Sequence, residues 1–186
     1  MNAMIIYGGK YRSARCYAEI LSEQTGIPYC PYTQWTADAS LELIVYIGSL
    51  YAGGIPGLRK TFARQIPTQA SILIATVGLS DPKEPETVTN ITAALKQQLP
   101  EDIFQRASFY HLRGAIDHAH LSRSHKVMMS LMYRQLRKKP VEQRSAEDRA
   151  FLETYGKQIS FIDPKSLEPL IARIQTIQEQ RGGSTA

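Results

Sequence analysis

Cysteine is scarce in this chain: Cys16 and Cys30 are the two among 186 residues. They make neither a CxxC pair nor a zinc-like spacing, which argues against a disulfide scaffold and a thiolate metal centre and leaves two packed thiols of a reducing compartment. No apolar run approaches the roughly 18–20 residues that a membrane-spanning helix requires. The first residues lack a basic stretch followed by an apolar segment, so the sequence reads as cytoplasmic. There is no internal repeat, no low-complexity block, no Ser/His/Asp arrangement, no paired catalytic carboxylates and no metal motif. Chemistry, if there is any, must come from a bound group.

What is present fits one packed domain spanning residues 1–186, with residues 181–186 as a frayed tail. The 43% hydrophobic content is enough for a real core at this length. The charge is unevenly spread. Between Leu121 and Lys139 lie Arg123, Lys126, Arg134, Arg137, Lys138 and Lys139 with no acidic residue, so the remainder of the chain carries about −1 of the net +5.

The informative stretch is the first one. Met4-Ile5-Ile6-Tyr7 is a short buried-strand signal ended by Gly8-Gly9, and a helical pattern follows from about Ser13 to Gln24, stopped by Gly26 and Pro28. A loop that passes from a parallel strand into a helix exposes unpaired N–H groups at the positive end of the helix dipole, where a phosphate is readily held. Lys10 and Arg12 add charge there.

The rest of the pattern alternates. Residues 28–32 carry two prolines and suit only an edge strand. Leu43–Ile47 and Ser71–Val77 are continuous apolar runs, each the mark of a strand buried on both faces. A helix is predicted from Pro56 to about Gln65, another from Glu86 to Leu99 with Val88, Ile91, Leu95 and Leu99 as its stripe, and a fifth strand over Ser108–Arg113. Beyond Gly114 the sequence predicts helices alone: 122–139, 145–155 with a capping box at Ser145 and Asp148, and 164–180. This predicts an α/β fold: a doubly wound, five-stranded parallel sheet of order 2-1-3-4-5, with a helical extension over about 115–158.

In such a sheet the ligand lies beyond the carboxyl ends of the strands where their order reverses, between strands one and three. The loops there are Gly8–Ala14 and Gly48–Gly57, the latter with four glycines. Tyr51 stands in the second, placed to stack on a planar ring.

Residues 4–14, 47–56 (IGSLYAGGIP), 76–79 and 112–117 (LRGAID) resemble a flavodoxin-domain protein, and the basic, Met-rich segment ending at Pro140 is similar to the menaquinone-dependent protoporphyrinogen dehydrogenase branch. The resemblance implies FMN, with its phosphate held by Lys10, Tyr11, Arg12, Ser13 and Ala14. It implies a flavin ring lined by Ser49, Leu50, Tyr51, Ala52 and Gly53 on one side and Thr76, Val77 and Gly78 on the other. Lys10, Arg12 and Arg59 would favour an anionic reduced flavin.

The chain departs from the family at the phosphate loop: Gly8, Gly9 and Ala14 stand where hydroxyls are usual, Arg12 replaces a glycine, and Ser13 alone keeps its hydroxyl. Each lost charge-assisted hydrogen bond is worth about 1.5–3 kcal/mol, which the two cations would partly restore. That substitution defines the rival reading, a flavodoxin-fold binding or regulatory module without FMN. His111, His118, His120 and His125 fall in one window and read as solvated loop histidines rather than as a zinc set. Residues 122–139 read as a basic helix whose stripe Val127, Met128, Leu131, Met132 and Leu136 either packs on the sheet or meets an anionic membrane, a quinone-bearing partner or a redox protein. No nucleic-acid motif accompanies the charge, and nothing in the sequence fixes an oligomeric state.

Overall fold

The computed structural model describes residues 1–51 and 54–182. Five strands, β1 (Ala3–Gly8), β2 (Tyr29–Pro31), β3 (Leu43–Ser49), β4 (Ser71–Gly78) and β5 (Ala107–Arg113), form one parallel sheet in the order β2-β1-β3-β4-β5. The two-proline segment is indeed the edge. Ile5, Val45 and Leu73 are in register across the three central strands, as are Gly8, Gly48 and Thr76, so the carboxyl ends finish together at one edge.

Strand alternation divides the core. Ile5, Val45, Ile47, Leu73 and Ala75 pack against α1 (Arg12–Thr25) and α7 (Glu168–Gly182), through Tyr17, Leu21, Leu170, Ile174 and Ile177. Ile6, Ile44, Tyr46, Ile72 and Ile74 pack on the other face against α2 (Leu58–Phe62) and α3 (Pro85–Gln98), through Leu58, Phe62, Ile91 and Leu95. The residues buried on both faces explain why the runs are continuous rather than alternating.

Four elements depart from the sequence reading. Helix α2 begins at Leu58 rather than Pro56 and stops at Phe62. The Tyr46 hydroxyl holds the Pro56 carbonyl at 2.6 Å, and Gly57 takes φ +85° with its Cα against the Tyr32 ring, so the chain turns sharply before it can coil. A short helix, α4 (Glu101–Arg106), follows Pro100; six residues are too few to display a helical period. The chain beyond Gly114 is also not all helix. β6 (Ala115–Asp117) pairs antiparallel with β7 (Gln158–Ser160), Ala115 opposite Ser160 and Asp117 opposite Gln158.

Between those two strands run α5 (Arg123–Lys138) and α6 (Ala146–Thr154). The capping box at Ser145 and Asp148 is present. Helix α6 is tied to the start of α3: the Ala146 N–H donates to Glu86 at 3.1 Å, and Arg149 pairs with Glu84 at 2.8 Å. Helix α5 lies against α6, with Tyr133 stacked on Tyr155 at 4.1 Å between ring centres. The stripe therefore does not pack on the sheet; Val127 and Leu131 are 62% and 56% exposed.

Candidate functional site

The loops after β1, β3 and β4 meet the extension around a cavity of about 690 Å³. Lys10, Tyr11, Arg12 and Ser13 line one end; Ser49, Leu50, Tyr51, Val77 and Gly78 line the sheet side. Ala14 is fully buried beneath the loop and packs with Tyr17 and Val77 in the core. Ala52 and Gly53 lie outside the described residues.

At the start of α1 the cap residue Tyr11 is extended, no side chain caps the helix, and its first turn holds no acidic residue. Its leading N–H groups and the dipole are thus left for an anion. The Ser13 hydroxyl is not: it accepts from the Ala115 N–H at 3.0 Å and donates to the Ala115 carbonyl at 3.3 Å. Glycine at 8 and 9 has its own physical reason. A Cβ on Gly8 would meet the Pro56 carbonyl at 2.1 Å and the Tyr46 hydroxyl at 2.2 Å, and one on Gly9 would meet the Ser49 Oγ at 2.7 Å. That Ser49 hydroxyl is buried and has no hydrogen-bond partner among the described residues.

Along the ring-side loops, the Leu50 N–H donates to the Val77 carbonyl at 2.8 Å, joining the β3 and β4 ends. Tyr51 exchanges backbone hydrogen bonds with Gly54 at 2.8 and 2.9 Å. Thr76 does not reach the cavity. It sits on the opposite face of β4, where its hydroxyl bonds His111 Nδ1 at 2.8 Å, as the period of two along a strand requires. Arg59 is also elsewhere, donating to the Gln97 carbonyl at the end of α3.

The extension supplies the far wall. Met128, Met129 and Met132 of α5, with Leu121, Phe151, Ile116 and Ile159, make it largely apolar. Met128 and Met132 belong to the stripe read in the sequence, but Met129 does not, and the sequence reading placed that stripe on the sheet or against a partner rather than on this cavity. Asp117 and His120 stand at the rim, bonded Oδ2 to Nδ1 at 2.7 Å, and this bond above all holds the Asp117 carboxyl below its usual range.

Three of the four histidines are not solvated. His111 is half-buried and burial lowers its pKa; His118 lies edge-on to Tyr155 at 4.8 Å. His125 is buried at the start of α5, 7% exposed, and reaches the loop between β1 and α1. The Lys10 ammonium donates to its Nε2 at 2.9 Å, and the Tyr11 hydroxyl bonds its Nδ1. The Tyr51 ring lies 4.9 Å away. Burial, and secondly the Lys10 charge, push the His125 pKa down. Sequence reasoning missed this residue because nothing local links position 125 to position 10. Among the described residues no three His, Cys, Asp or Glu are grouped to hold a metal ion, and no helix is long and apolar enough to cross a membrane.

Comparison with known proteins gives a family and little more. No curated protein matches the chain. Solved structures match at low identity: a candidate flavoprotein from Bacteroides eggerthii (10% identity, 60% of this chain and 87% of the other, TM-score 0.38). A flavodoxin from the domain Archaea matches at 10% identity over 61% of this chain and 83% of the other, TM-score 0.35. A flavone reductase matches at 12% identity over 99% and 91%, TM-score 0.36. Residues 4–143 match the family model described as the flavodoxin domain. With the 2-1-3-4-5 sheet and the ligand-sized cavity at its switch point, the chain belongs to the flavodoxin domain family.

Proposed function

We propose that this protein binds FMN and transfers electrons between it and an organic substrate or redox partner. The observation that carries the reading is the cavity itself: an uncapped, acid-free helix start with two cations at one end, and a methionine and phenylalanine wall at the other. Its volume of about 690 Å³ falls within the 300–1,000 Å³ or so typical of cofactor sites.

The residues fit FMN in an altered way. The phosphate would be held by the N–H groups at the start of α1 and by Lys10 and Arg12, with Ser13 excluded by its bonds to Ala115. The Ser49 hydroxyl, without a partner among the described residues, would offer the flavin a polar contact. FMN would supply two-electron redox chemistry. The protein's part is to bind the phosphate, order the ring between the Ser49–Tyr51 and Val77–Leu79 loops, and keep water from the apolar side. A broad apolar substrate suits the methionine wall, which agrees with the resemblance to the protoporphyrinogen dehydrogenase branch.

A second reading, a flavodoxin-fold binding module without FMN, rests on one observation: the loop's one aliphatic hydroxyl is already engaged. The visible spectrum of the purified protein, with and without added FMN, separates the two. Flavin absorbance that stays with the protein through desalting supports the cofactor reading, and a colourless protein that ignores excess FMN overturns it. Exposed Val127 and Leu131 beside Arg123, Arg134 and Lys138 support contact between α5 and an anionic membrane, where a quinone would be met.

A further inference from the structure

His125 of α5 is bonded to Lys10 and Tyr11, the two residues that lead into α1. We propose that His125 is a proton-linked phosphate ligand supplied by the extension: neutral and bonded to Lys10 when the site is empty, protonated when a phosphate monoester is bound. The inference rests on the FMN reading and concerns how that site is regulated.

The tautomer follows from the donor inventory. A lysine ammonium has donors only, so Nε2, 2.9 Å from Lys10, must be the acceptor, and the proton must sit on Nδ1 facing the Tyr11 hydroxyl. Such an imidazole cannot take a second proton without setting two cations in contact. An arriving phosphate reverses this, because a dianion placed between Lys10 and His125 favours the charged form of both. The groups facing His125 are Lys10, Tyr11 and Tyr51, with Arg12 and the rim pair Asp117 and His120 along the same cavity. The one carboxylate among the described lining residues, Asp117, is taken by His120 at 2.7 Å, so nothing else there neutralises an imidazolium. This side chain thus makes up, from a distant part of the chain, for the donors that Gly8, Gly9 and Ala14 do not provide.

The test is calorimetric titration of the full-length protein and of H125Q with FMN and with riboflavin, between pH 8 and 6, in buffers of different ionisation heat. FMN binding to the wild type should take up more protons than binding to H125Q, and its affinity should rise as pH falls, by up to about tenfold per pH unit. The phosphate monoester itself titrates near pH 6 in both proteins, so the difference between them isolates the imidazole. Riboflavin, without phosphate, should show no such difference. Equal proton uptake in the two proteins, with FMN bound, overturns the inference and leaves the FMN reading standing; absence of FMN binding at every pH overturns both. Should H125Q fold poorly, the imidazole titration of wild-type His125 by NMR decides. A midpoint that rises on adding FMN upholds the inference, and an unmoved midpoint refutes it.

Discussion

The Ser13 hydroxyl is bonded to both backbone groups of Ala115, accepting at 3.0 Å and donating at 3.3 Å, so the start of α1 is stitched to the first residue of β6. A side chain in a cavity-lining loop here serves to fasten the extension.

Replacing Ser13 by alanine should therefore act on the fold more than on the ligand. Leaving the half-buried Ala115 N–H without its Ser13 acceptor costs about 1 kcal/mol, visible as a lower urea midpoint, while FMN affinity should change less than about threefold (roughly 0.65 kcal/mol). A tenfold loss of affinity with an unchanged midpoint would reassign the hydroxyl to the phosphate.

Restoring a family-like hydroxyl at position 8 should fail. In Gly8→Ser the Cβ would fall 2.1 Å from the Pro56 carbonyl and 2.2 Å from the Tyr46 hydroxyl, so backbone must move, at a cost on the order of 1–3 kcal/mol. Tyr46→Phe, which leaves the Pro56 carbonyl without its donor, should cost about 1–3 kcal/mol by itself. If Gly8→Ser unfolds at the wild-type midpoint and binds FMN more tightly, the packing account of Gly8 is wrong.

Acid should weaken the empty protein in the range where histidines titrate. Burial lowers the pKa of His111 in the folded state, so below the unfolded value of about 6.5 the unfolded chain binds the proton more readily. This contribution is complete above that pH and declines as pH falls toward the folded pKa. Urea midpoints should drop between pH 7.5 and 5.5, and His111→Asn should show a shallower drop. An equally steep slope in the variant would remove His111 from the account.

Anionic vesicles should pellet the wild-type protein at low salt and release it as salt rises. The double substitution of Val127 and Leu131 by glutamate, at positions that are 62% and 56% exposed, should abolish pelleting without moving the thermal midpoint. Retained pelleting would shift the contact away from α5.

Much of the fold was written locally. The apolar runs at Leu43–Ile47 and Ser71–Val77, the glycine-ended loops and the Ser145 capping box each report their own structure within a few residues. What escaped were features made by distant partners. β6 and β7 are three residues each and exist because they pair across the extension. Thr76 looked like a lining residue because its loop is one, yet strand alternation turns it to His111. His125 carries no mark in the sequence of its contact with Lys10. Gly8 read as a missing ligand, whereas the Pro56 carbonyl beside it shows it to be a spacing requirement.

The antiparallel pairing of β6 with β7 also makes the extension separable. Its two ends, Asp117 and Gln158, are directly opposite each other, so the segment between them is a cassette inserted at one point of an otherwise complete sheet. A tight turn joining those strands would leave every parallel pairing intact and remove His125, the methionine wall and the exposed basic helix together. The proton-linked histidine, the apolar wall and the exposed basic face are thus three features of one segment, and a single shortening between Asp117 and Gln158 would remove all three at once.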